Sequence, residues 1–208
     1  MAEGVTTSAT LLGESLPVEL MNTVTVDRGR TCDSLDSDAD ATAWLRSVAV
    51  LTGADTTIRA DQLDGAAVRP VAGALHALRD ALRRLAAETT GDPRPPATAR
   101  ELARGEAIGT LNALARACPE LFWPAEGQPS RAFRGPGTAA DLAVQLIAHQ
   151  AVGLFTGPGC DRLRPCLAPN CLLFFVKNHA RRECCSPVCG NRVRVARHYR
   201  RHHPPPQN

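Results

Sequence analysis

The strongest constraint in this chain is the crowding of cysteine near its end: six of eight cysteines lie after residue 159. Four of them read Cys166-x4-Cys171, thirteen residues, then Cys185-x3-Cys189, which is two close pairs of thiols. Tetrahedral Zn²⁺ takes two such pairs, each forming a knuckle. A module of this size cannot hold itself together by apolar burial alone, and a metal supplies the missing folding energy. Disulfides are the competing reading. The opening residues, MAEGVTTSATLLGES, have neither the basic start nor the apolar run of a secretory signal. No stretch approaches the roughly 20 apolar residues of a membrane span. The expectation is therefore a cytoplasmic protein, away from membranes, whose thiols stay reduced. Four thiolates close the coordination sphere, so the ion is structural and not catalytic. Cys160 precedes the motif and is left over. Cys184 and Cys185 compete for one position, because x3 and x4 spacings both fit.

Charge is divided in the same way. Residues 160–208 carry 10 basic residues against two acids, Asp161 and Glu183, for a net of +8, while residues 1–159 have a net of −5. The mild total of +3 hides an acidic body and a basic tail module. Such asymmetry points to nucleic acid. Twenty-three of the 24 basic residues are Arg, so a single arginine is weak evidence of chosen guanidinium chemistry.

The body reads as mainly α. Leu16 to Val26 is a short apolar stretch, helix or strand. Asp38 to Val50 puts acids in a first helical turn and Trp44, Leu45, Val48 and Ala49 on one face. After Pro70, the residues Val71, Leu75, Leu78, Leu82 and Leu85 form a helical stripe, with Arg79, Asp80, Arg83 and Arg84 off it. Gly91-Asp-Pro-Arg-Pro-Pro96 breaks the chain. A helix over 98–118 places Leu111, Leu114 and Cys118 on one face, making Cys118 a core thiol. Leu121–Trp123 and Arg131–Phe133 pair as a small β-hairpin around Gly127. Thr138 and Asp141 form a capping box for a last helix carrying Leu142, Leu146, Ile147, Ala151 and Leu154. Gly157-Pro-Gly159 closes it. The expected domains are a helical body over 1–159, a zinc module over 160–203 and a disordered Pro-rich tail over 204–208.

No enzyme signature is present: no phosphate-binding Gly-rich loop, no His-Glu-x-x-His, no Gly-x-Ser-x-Gly. Cys32 lies in an acidic loop. His76 and His149 are single helical histidines of the core or its boundary. The chain is read as a non-enzyme.

In the tail module, Leu172–Lys177 is strand-like, Asn178-His179-Ala180 can turn, and the chain can return from Arg181. Gly190 allows a tight turn beside sulfur. Asn191 can cap a helix over Arg192–Arg201. Hairpin, knuckle and helix together make a treble-clef-like finger.

Cys189-Gly190-Asn191-Arg192 resembles the namesake motif of the CGNR zinc-finger family, and Arg181-Arg182, Cys185-Ser186 and Arg197-His198-Tyr199-Arg200 resemble its surroundings. Family members carry a Trp before a Cys-Ser pair. Cys184 stands at that position here, which leaves Cys185 as the ligand. The implied zinc set is Cys166, Cys171, Cys185 and Cys189, with Cys184 as the substitute. Met21-Asn22-Thr23, Trp44-Leu45 and Leu111-Asn112-Ala113-Leu114 resemble the sparse signature of the helical ABATE domain that precedes this finger. The resemblance implies a stress-linked transcription regulator. It assigns DNA binding to the finger and the sensing of a small-molecule effector or stress signal to the helical domain.

The residues give a physical account of DNA binding. With Val195, Ala196 and Tyr199 against Phe174 and Phe175, the final helix turns Arg194, Arg197, His198 and Arg201 outward. Guanidinium forks bridge phosphates or read guanine edges. Arg181 and Arg182 can clamp the backbone. Arg192 adjoins a knuckle and either contacts DNA or supports the fold. One small finger reads few base pairs, which makes a homodimer an expected arrangement. The alternative is a protein- or RNA-interaction module with a purely structural finger.

Overall fold

The computed structural model describes residues 11–52, 58–95 and 102–202. The expected disordered tail and the start of the helix placed over 98–118 lie outside these residues. The described chain is mainly α, with three two-stranded antiparallel hairpins.

The apolar stretch from Leu16 is both helix and strand: α1 (Leu16–Met21) runs into β1 (Val24–Asp27), which pairs with β2 (Arg30–Asp33). Arg28 and Gly29 adopt φ 47° and 80°, the left-handed pair that a two-residue hairpin turn needs. Cys32 thus lies on an exposed strand. α2 (Asp38–Thr52) begins at Ser37, whose hydroxyl accepts the Asp40 amide at 3.1 Å, and it buries Trp44, Leu45, Val48 and Ala49. The short α3 (Gly65–Val68) leads into α4 (Ala72–Thr90).

α4 is the axis of the body. Its expected stripe is buried at Leu75, Leu78 and Leu82, and Gly91 ends it in a left-handed cap at φ 60°. Two residues placed off the stripe are a correction: Arg79 and Arg83 are also buried, 5% and 8% exposed. α4 is covered on this side by α1 and by the last segment of the chain, so a second, polar face is enclosed. Arg79 meets Asp33 at 2.5 Å and the Thr23 hydroxyl at 3.2 Å. Arg83 donates to the carbonyls of Met21 and Leu172.

α5 (Arg104–Leu114) is shorter than the periodicity predicts. Cys118 opens β3 (Cys118–Phe122), which pairs with β4 (Ser130–Arg134) as the expected hairpin, Leu121 opposite Arg131. Cys118 is therefore an exposed strand residue and not a core thiol. The hairpin leaves Leu121, Phe122 and Trp123 in water and buries Phe133 edge-on against His149. α6 (Ala139–Thr156) starts at the Thr138–Asp141 capping box and is buried on most sides, as befits a helix inside the bundle. His76 Nε2 donates to the Leu35 carbonyl at 2.9 Å.

Past Gly157 the chain forms β5 (Leu163–Pro165) and β6 (Phe174–Val176), and the last described element is α7 (Pro187–His202). Alternation along β6 sends successive side chains to opposite faces. Phe174 joins the core of the helical body, and Phe175 joins a second, smaller core with Cys166, Cys171 and Cys189. One strand therefore serves two cores.

Candidate metal centre and basic helix

The turn of the β5–β6 hairpin is the first knuckle, holding Cys166 and Cys171. The finger hairpin is therefore formed by 163–165 with 174–176. The expected return strand from Arg181 is absent; that stretch is a turn and bends that deliver Cys185. α7 also begins earlier than expected. Ser186 accepts the Cys189 amide at 3.3 Å and Pro187 follows, a serine cap with proline in the first turn. Asn191 lies inside the helix, so it caps nothing, and Gly190 is helical. This start puts the Cys189 sulfur at the positive end of the helix, where a thiolate is favoured.

The sulfurs of Cys166, Cys171, Cys185 and Cys189 all lie within 4.8 Å of one another. Cys171 to Cys185 is 3.8 Å and Cys185 to Cys189 is 3.4 Å. A zinc tetrahedron with bonds of about 2.3 Å has edges of about 3.8 Å, whereas a disulfide needs about 2.05 Å. The donor set and its spacing fit one structural Zn²⁺. Cys184 is half-buried beside the cluster and outside the set of four. Crowding divides the protons unevenly. The hydrogen bonds from Cys171 and Cys185 hold the Cys166 thiol well below its usual range. The hydrogen bond with Cys166 pushes Cys171 up to about 12 against that of Cys185, and the hydrogen bonds with Cys166 and Cys171 push the Cys185 thiol up. Four sulfurs this close do not all ionise without a cation among them, and a divalent ion supplies that charge.

Arginines surround the sulfurs. Arg192 donates to Cys189 Sγ at 2.8 Å and to the Pro169 and Asn170 carbonyls at 3.0 and 3.3 Å, tying the two knuckles together. Of its two expected roles, the geometry is that of fold support. Arg182 stacks over Phe175, donates to the Val176 and Cys185 carbonyls, and pairs with Glu14 at 2.6 Å. It is engaged inward, while Arg181 is exposed. Arg94 was not legible as a functional residue, since it sits in the Pro-rich break after α4. Its guanidinium is locked to Asp92 at 2.6 Å, stacks over Phe174, and donates to the carbonyls of Cys166, Cys171 and Leu173. Asn22 completes the seam: its side-chain amide gives to and takes from the Phe174 backbone at 2.9 and 2.8 Å, as a neighbouring strand would.

Beyond the knuckle α7 stands free of the hairpin. Val195 and Tyr199 are 69% and 61% exposed. The expected packing of these two against Phe174 and Phe175 is thus a correction. The finger core is closed instead by Cys189 and Val193 from the first turns of α7. Arg194, Arg197, His198 and Arg201 are exposed. Arg194 reaches Asn191 one turn back, and the His198 ring meets that of His202 at a tilt of 42° with ring centres 4.3 Å apart.

Fold and site define a helical domain carrying a C-terminal four-cysteine zinc finger. The helical part, residues 14–158, matches the ABATE model, described as "Putative stress-induced transcription regulator", and residues 162–202 match the CGNR zinc finger. The chain belongs to the ABATE family and ends in a CGNR zinc finger. No curated protein matches it. No helix among the described residues is long and apolar enough to cross a membrane.

Proposed function

We propose that this chain is a cytoplasmic DNA-binding transcription regulator, not an enzyme, whose finger contacts the duplex through α7. The observation that carries this reading is the helix itself. It is anchored at one end by a zinc knuckle, largely exposed beyond its first turns, and studded with Arg194, Arg197, Arg200 and Arg201. A rod of this diameter fits the major groove, and most of its contacts would be to phosphate. Arg181, on the turn before the second knuckle, adds a backbone contact. Pairing of two copies would extend the site read.

Effector sensing belongs to the helical body. A cleft of about 360 Å³ between α4, α5 and α6 is lined by Leu85, Ile108 and Phe155 with Glu88, Thr89 and Asn112 at its polar edge. That volume is at the lower end of small-ligand sites. The exposed Val188, Val195 and Tyr199 favour a second reading, in which α7 docks on a protein.

Titration of a labelled duplex at several salt concentrations tests the first reading. Affinity should fall steeply with salt, and replacing Arg194, Arg197 and Arg201 together by Ala should lower the salt slope by about 3. Unchanged binding in the triple variant, or no duplex binding by the parent, overturns it.

A further inference from the structure

A cleft of about 550 Å³ opens between the β5–β6 hairpin, the end of α4 and the first half of α7. One wall carries Arg164 from β5 and Lys177 just past β6, and the other carries Arg194 and Arg197 from α7. Glu183 is its acid, paired to Lys177 at 2.5 Å and 75% exposed. Arg164, Lys177, Arg194 and Arg197 line the cleft together with this one carboxylate. The cationic surface continues around the hairpin, where a shallower hollow joins Arg162 and His179 to the same Arg164 and Lys177. Arg197 makes no ion pair among the described residues. The stripe on α7 and the outer edge of the hairpin thus face each other across a gap instead of lying on one convex surface.

We propose that this cleft seats the phosphodiester backbone of a DNA duplex, with Arg164 and Lys177 of the hairpin gripping phosphates beside the groove that α7 enters. The proposal rests on the duplex-binding reading above and adds a second wall to it. Hairpin and helix are held at fixed separation by the zinc knuckles, so the phosphate sites are spaced before DNA arrives. Glu183 holds Lys177 in place and opposes the incoming phosphates, which keeps non-specific affinity down. The contacts carry no sequence information, because phosphates are alike along the duplex.

The test is fluorescence anisotropy of the zinc-loaded full chain on a labelled duplex of random sequence, over a range of salt. An Arg164→Ala/Lys177→Ala chain should bind about tenfold or more weaker, with a salt slope lower by about 2. Glu183→Gln should bind a few-fold tighter. One zinc per chain and an unchanged melting temperature establish folding. Should the double variant fail to fold, Glu183→Gln carries the test alone, and unchanged affinity there overturns the proposal. Duplex binding kept by Arg164→Ala/Lys177→Ala but lost on removing Arg201 and His198 overturns the cleft while leaving the regulator reading intact. No duplex binding by the parent, or binding of RNA alone, overturns both.

Discussion

Buried and half-buried arginines set the chemistry at the level of single residues. Arg79, Arg83 and Arg94 each satisfy oxygens from distant parts of the chain, and none is placed by hydrophobic periodicity, which reports only the apolar stripe of α4. Replacing Arg94 by Met strands three knuckle carbonyls and the nearly buried Asp92 carboxylate. The expected loss is about 3 kcal/mol in a urea titration. The Asp33–Arg79 pair has a pH signature. Burial pushes the Asp33 carboxyl up, but the Arg79 hydrogen bond, the Leu35 amide and the Arg79 charge outweigh it, leaving the carboxyl below 3.8. The folded state therefore binds this proton less tightly than the unfolded chain. Stability from the pair is complete above pH 3.8 and is lost as pH falls through the lower folded value. Asp33→Asn should destabilise the chain at pH 7 by about 3 kcal/mol. That gap should narrow in unfolding titrations below pH 3.8, and a gap constant with pH would count against the pair.

At the scale of elements, what was legible in the sequence was what repeats locally. The stripe of α4, the Thr138–Asp141 cap and the Leu121–Arg131 hairpin follow from spacing alone. The four sulfurs that converge are the four that two-pair spacing and the family motif single out. The finger's hairpin was not legible, because Leu163–Pro165 is too short and polar to announce a strand, and its pairing is forced by the knuckle between β5 and β6. The early start of α7 follows from Ser186-Pro187, a cap signal overshadowed by Asn191. Val195 and Tyr199 look like a packing face, yet the hairpin ends before it can reach them. Cys189→Ser removes the ligand at the helix start. It should reduce bound zinc from one per chain to near none by metal analysis, and unfold the first turns of α7, read as lost helical circular dichroism.

For the whole molecule, the seam between body and finger matters most. Phe174 lies in the large core, Asn22 pairs with its backbone, Arg83 and Arg94 hold the first knuckle, and Glu14 holds Arg182. The acidic body and basic finger are distinct in composition and continuous in packing. Chelating zinc should therefore lower the melting temperature of the entire chain in one cooperative transition, with body and finger unfolding together. A melt that left the helical body at its original midpoint after chelation would show that the seam transmits nothing. The same seam gives any ligand in the α4–α6 cleft a physical route to the finger, because α4 lines that cleft and also carries Arg83.

The two-faced strand β6 has a consequence for anyone grafting this finger onto another protein. Severed near Gly159, it would expose the Phe174 ring and the open edge of its hairpin to water, while its sulfurs could still gather metal. A transplant would have to bring along stand-ins for Asn22, Arg83 and Arg94, residues that lie some 70 to 150 positions upstream of what they hold.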